Sequence, residues 1–196
     1  MSKRLSCFIL IVWFLVGASA RSQDTAPASP SEVKAAFLYN FTRFVTWPED
    51  TGAQNEIIIG VLGNDEVEMH LRRVPAGKSA QNRIVSVRRI SSLDEVSRVH
   101  ILFIGARESH RIAPIIEMVR QRPVLTVTES ANGLERGSVI NLMTNDRVLL
   151  EISLPAAAKA GLQLNSRLLS VAARIKKGEK AGGFMYALRM ALLQAT

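Results

Sequence analysis

Residues 100–104 read HILFI, four large apolar side chains in a row behind a histidine. A run so short and so continuously apolar suits a strand buried on both faces, as in a parallel sheet. Working outward, Glu56 to Leu62 (EIIIGVL) has the same character, Arg83 to Ile90 (RIVSVRRI) alternates as a strand, and Val124 to Thr128 (VLTVT) is a further strand. Between them lie helical segments: Asp65 to Val74, a short start at Ser91 to Glu95, and a helix from the Gly105 to Ser109 turn to about Arg122. Pro114 falls early in that last helix, where proline is tolerated or kinks it slightly. Strand alternating with helix predicts an α/β fold, a mostly parallel sheet covered by helices on both faces. Ser138 to Met143 and Arg147 to Ser153 flank Thr144-Asn145-Asp146 and read as a β-hairpin, which adds an antiparallel edge near the C-terminal part. Arg147 and Glu151 then share one strand face and are expected to pair with each other or with neighbours near the final helix. Leu154 to Ala160 reads as a short helix stopped by Gly161, and Arg167 to Lys177 as a final helix capped by Asn165 or Ser166.

Upstream, Ser29 to Asp50 (SPSEVKAAFLYNFTRFVTWPED) reads as one amphipathic helix with both ends marked. Ser29 is an N-cap, Pro30 takes the first helical position, and Glu32 completes a capping box. Val33, Phe37, Phe41, Phe44 and Val45 make its apolar face, with Ala36 and Leu38 on the flanks. Trp47-Pro48 ends it, because the proline ring forces its predecessor out of helical geometry. Such a helix anchors a core.

The chain has 196 residues, 47% of them hydrophobic and 21% charged, which is globular in composition. Lys3 and Arg4, the apolar run Phe8 to Val16 and the small-x-small Ala18-Ser19-Ala20 read as a signal peptide over 1–20. The apolar run is shorter than the roughly 20 residues a membrane span needs. The expected organisation is then a lead-in at 21–28, one α/β domain at 29–177 and an appended tail at 178–196. In that tail Phe184, Leu188 and Leu192 form an amphipathic stripe. Cys7, the single cysteine, lies within the signal, so the mature chain has no disulfide and no thiol chemistry. Removing Lys3 and Arg4 from 25 basic residues leaves 23 against 17 acidic ones, a net +6. That excess suits acidic partners, head groups or anionic ligands. The cations are scattered and accompany no recognition motif, which argues against nucleic acid.

No catalytic constellation emerges. Gly77-Lys78-Ser79 ends like a P-loop, but the required earlier glycine is Arg72. There is no GxGxxG after a strand and no GxSxG elbow. His70, His100 and His110 stand apart, and Asp94-Glu95 is helix-start charge. No cofactor and no metal site is expected. The most plausible site is the rim at the C-terminal ends of the strands, where open α/β sheets bind ligands. Asn64, Asp65, Arg107, Ser109, Thr128 and Ser130 gather there, and Arg107 and Ser109 at a helix start suit a small anion such as a carboxylate or phosphate.

The ordered set Val33-Lys34-Ala35-Ala36-Phe37-Leu38-Tyr39-Asn40-Phe41, Phe44-Val45, Trp47-Pro48, IIGVLG at 58–63, Gly77-Lys78, Arg83-Ile84-Val85 with Val87, HILFI and PVLTV at 123–127 resembles the YfiR family of exported regulators. Arg147 with Glu151-Ile152, Ala157-Ala158, Ala160-Gly161-Leu162 and Ser166-Arg167-Leu168-Leu169 continue it. The likeness runs over about Val33 to Ile175. It implies a non-catalytic periplasmic protein of a Gram-negative bacterium. Such a protein binds the periplasmic sensor part of an inner-membrane diguanylate cyclase, holds it inactive, and so lowers cyclic-di-GMP and biofilm formation. Relatives carry disulfides that this mature chain lacks. The alternative reading is a small-molecule-binding or transport accessory protein. A small anionic ligand and a second copy of the chain, as a homodimer, are further partner classes.

Overall fold

The computed structural model describes residues 27–48, 55–74, 79–80 and 83–178. The segment expected to be a signal peptide, most of the expected lead-in and the stripe of Phe184, Leu188 and Leu192 lie outside the described residues.

Helix α1 (Pro30–Phe44) begins as expected, with the Ser29 hydroxyl accepting from the Glu32 N–H and proline in the first turn. It runs directly into β1 (Val45–Thr46). There follow β2 (Glu56–Leu62), α2 (Asp65–Arg73), β3 (Ser79–Ala80), β4 (Arg83–Arg89), a 3-10 turn at Leu93–Arg98 and β5 (Ile101–Ile104). A second 3-10 turn at Ala106–Arg111 leads into α3 (Ile112–Val119). Then come β6 (Leu125–Thr128), β7 (Ile140–Thr144), β8 (Val148–Ser153), α4 (Leu154–Lys159), β9 (Gln163–Leu164), α5 (Ser166–Ser170) and β10 (Arg174–Lys176).

The main sheet has the order β10-β8-β7-β6-β5-β2-β4-β3, and β1 pairs β9 in a separate two-stranded ladder. Pairing is parallel from β4 through β2, β5 and β6 to β7, and again between β8 and β10. It is antiparallel in the β7–β8 hairpin and in β3–β4. The mostly parallel α/β architecture expected from the sequence is the one observed. Strands buried on both faces split their side chains between two cores. Ile57, Ile59, Val61, Ile101 and Phe103 join one core with α1, and Ile58, Leu62, Leu102 and Ile104 join the other with α3. This is why those strands read as continuous apolar runs rather than alternations.

Three expectations need correction. The helix read over Ser29 to Asp50 ends at Phe44, ahead of Trp47-Pro48, because Val45 turns extended and pairs with Leu164 of β9. The buried face of α1 carries Lys34, Ala35, Leu38, Phe41 and Thr42, followed by Val45. Val33, Phe37 and Phe44 are only half-buried, and Ala36 is exposed. The face is turned because Lys34 reaches the end of the sheet, and because the Thr42 hydroxyl donates to the Tyr39 carbonyl at 2.6 Å and can then be buried. Phe37 remains at the border, its ring stacked 6.1 Å from Phe41.

The expected final helix Arg167 to Lys177 stops at Ser170. Ala173 N–H then donates to Leu150 O at 2.7 Å, and Arg174–Lys176 adds a parallel strand outside β8. The hairpin is therefore internal to the sheet, and β10 is the edge. A helical pattern lost here to the unpaired N–H and C=O groups of the neighbouring strand.

Candidate functional site

The strand ends converge as the topology requires. Gly105 N–H donates to Leu62 O at 2.7 Å, locking the loop after β5 onto the loop after β2. A Cβ on Gly105 would come within 2.6 Å of Gly63 O, so only glycine permits this approach. Asn64 caps α2 by accepting from Val67 N–H at 3.0 Å, and its amide donates to Glu129 Oε1 at 2.8 Å. Ala106 N–H donates to the same oxygen at 2.8 Å. Lys34 Nζ, arriving from α1, lies 2.5 Å from Glu129 Oε2. The side chains of Glu129 and Lys34 are 5% and 10% exposed.

Glu129 thus ties four parts of the chain at the rim: α1, the loop after β2, the 3-10 turn after β5, and its own loop after β6. An exposed N–H at the start of a helical turn favours an anion. Here the chain supplies that anion itself. The sequence places Thr128-Glu129-Ser130 at the rim, but the candidate binding residues read from it include only the two neighbours of Glu129. The available signal for Glu129 itself was a lone acid directly after a strand buried on both faces.

Of the six rim residues, Asn64, Asp65 and Arg107 come together. Asp65 pairs with Arg107 at 3.3 Å and with Arg89 at 2.9 Å. Thr128 and Ser130 form a second cluster through Asn141, whose Oδ1 accepts from Thr128 Oγ1 at 2.8 Å and from Ser130 N–H at 3.2 Å. Ser109 enters through its carbonyl, which accepts from Arg136. Glu108 and Arg111, beside His110, pair at 3.2 Å. Glu151 pairs with Arg174 of β10 at 3.0 Å, the kind of neighbour expected, whereas Arg147 is exposed and makes no ion pair among the described residues.

His100 is 5% exposed. Its Nδ1 accepts from Ile58 N–H at 3.1 Å, and its Nε2 lies 3.0 Å from Arg83 Nη2. Its carbonyl accepts from Trp47 Nε1 at 3.2 Å, and the two rings meet edge-on. Burial, then the Arg83 charge, push the imidazole down to about 4, with Glu56 opposing. A neutral buried histidine joining β5 to β2 and to Trp47 is a structural fixture.

On the α3 side, a cavity of about 490 Å³ opens between α3, the turn after β6 and α4. Ile116, Val119, Val124, Leu134, Pro155 and Ala156 give it an aliphatic lining, and Arg120, Arg136, Lys159 and Lys176 stand around it. No stretch of sequence marks this site, since its walls come from segments some sixty residues apart. Among the described residues no group of three or more His, Cys, Asp or Glu could hold a metal, and no helix is long and apolar enough to cross a membrane.

A family model described as YfiR/HmsC-like matches residues 31–173. No curated protein matches the chain. Several solved structures resemble it, among them these two. A conserved domain protein from Vibrio cholerae O1 biovar El Tor shares 13% identity over 76% of this chain, with a TM-score of 0.52. The ABC domain in complex with L-Trp from Streptococcus pneumonia shares 9% identity over 74% of this chain, with a TM-score of 0.50. The chain spans 60% of the length of each. At such identity the likeness is one of fold.

Proposed function

This chain belongs to the YfiR/HmsC-like family, and on that premise we propose that it is a non-catalytic periplasmic regulator. In this reading it binds the periplasmic sensor part of an inner-membrane diguanylate cyclase and holds it inactive, lowering cyclic-di-GMP and biofilm formation. The observation that carries the reading is the family match, which extends from α1 through α5. The rim supports it, because the polar groups of Asn64, Glu129 and the Ala106 N–H are bonded to one another.

A protein without catalytic groups controls an enzyme by binding one of its conformations more tightly. Moving a two-state cyclase from mostly active to mostly inactive takes a differential affinity of about 5 kcal/mol, within reach of a few buried apolar anchors. Val171, 62% exposed beside the β10 edge, is the first such anchor in the C-terminal part. Deleting the gene is expected to raise cyclic-di-GMP only in cells that retain the cognate cyclase. The same rise in a strain lacking both would remove the cyclase as target.

A second reading, capture of a small molecule as a binding or transport accessory protein, is favoured by the aliphatic cavity. Purified protein that takes up a solute but binds no cyclase sensor domain would select it.

A further inference from the structure

The cavity between α3 and α4 has a composition that selects a ligand class. Among the described residues its lining contains no aromatic ring, so those walls offer nothing on which a nucleobase or an aromatic amino acid could stack. Its apolar wall is built of branched aliphatic side chains, proline and alanine. Its volume, about 490 Å³, falls within the usual span of small-molecule sites.

Charge is distributed unevenly around it. Arg120, Arg136, Lys159 and Lys176 outnumber Glu117 and Glu135. Both carboxylates are engaged, Glu117 by Arg120 at 3.0 Å and Glu135 by Arg174 at 2.9 Å, and Arg136 donates to the Ser109 carbonyl. Lys159 on α4 and Lys176 on β10 are exposed and make no ion pair within 4 Å with any described residue. A backbone hydrogen bond, Arg174 and the Lys176 charge together hold the Glu135 carboxyl below its usual range. Two exposed ammonium groups beside an aliphatic cavity match a molecule with an anionic head and a flexible apolar chain. The apolar part gains by leaving water, and the head gains from the two cations without being buried.

We propose that this cavity is a binding site for aliphatic carboxylates of medium chain length, with the acyl chain against Ile116, Val119, Leu134 and Ala156 and the carboxylate held by Lys159 and Lys176. The site is separate from the rim around Glu129, and the assignment does not depend on the regulatory reading.

Titration calorimetry and amide chemical-shift mapping of the exported protein, using decanoate, decan-1-ol and acetate as probes, test it. Decanoate is expected to bind about tenfold more tightly than decan-1-ol, to weaken as salt is raised, and to shift amides of α3, α4 and β10. Lys159→Gln with Lys176→Gln should bring decanoate down to the level of decan-1-ol while leaving the alcohol unchanged. Ala156→Leu should reduce binding of both. A thermal melt of each variant separates lost binding from lost folding, and the lysine pair, being exposed, is expected to melt as the parent does. No decanoate binding at millimolar concentration, equal binding of decanoate and decan-1-ol, acetate binding as tightly as decanoate, or shifts confined to other elements would each overturn the assignment.

Discussion

Removing the Glu129 carboxylate tests whether the rim is held by that one buried group. In Glu129→Leu, Lys34 keeps a side chain only 10% exposed but loses its counter-charge, and the Asn64 amide and the Ala106 N–H lose their acceptor. Breaking a buried pair by removing one partner costs about 3–5 kcal/mol. Lys34→Met leaves Glu129 with its two N–H donors and should cost about 1–2 kcal/mol, the value of a charge-assisted hydrogen bond less the gain from burying methionine. The double variant has no stranded charge. Its cost should fall to about 1–3 kcal/mol for the two orphaned donors, well below the sum of the single changes. Urea denaturation of the four proteins at pH 7 closes the cycle. Additive costs, or a Glu129→Leu protein within about 0.5 kcal/mol of the parent, would mean that the latch carries no coupling and that the packing of α1 alone holds the rim.

His100 predicts a pH dependence. Its folded pKa, about 4, lies below the ordinary 6.5, so between these values the unfolded chain takes up a proton that the folded one does not. The contribution is complete above pH 6.5 and falls by about 3 kcal/mol as the pH drops to 4; an unchanged slope in His100→Phe would assign the acid sensitivity elsewhere. Gly133→Ala should destabilise by about 1–3 kcal/mol, because its Cβ would come 2.3 Å from Thr128 Oγ1 and 2.5 Å from Asn141 Oδ1; a melting temperature equal to the parent's would contradict that packing. Trp47→Phe keeps a ring against His100 but loses the bond to its carbonyl, an expected cost of about 1 kcal/mol measurable by denaturant titration. Mass spectrometry of the secreted fraction should find Arg21 at the new N-terminus, and a full-length cytoplasmic product would end the periplasmic reading.

The local code determined much of this protein without help. The β2 and β5 runs, the N-cap at Ser29 and the turn at Thr144-Asn145-Asp146 each carry their structure in neighbouring residues. Burial on both sheet faces, an orphaned helix N–H and a tight reversal are local demands with local signatures. The ordered motifs likewise carried the family. Tertiary structure decided the rest, wherever a group's partner lies far along the chain. The α1 face turned because Lys34 meets Glu129, 95 residues away. Residues 174–176 became a strand because β8 offered unpaired peptide groups. His100, one of three histidines alike in sequence, became a buried neutral fixture only where Ile58, Arg83 and Trp47 converged on it. Helical periodicity is a preference of tenths of a kcal/mol per residue. A buried charge or a row of unmet hydrogen bonds is worth several, and the larger demand set the final geometry.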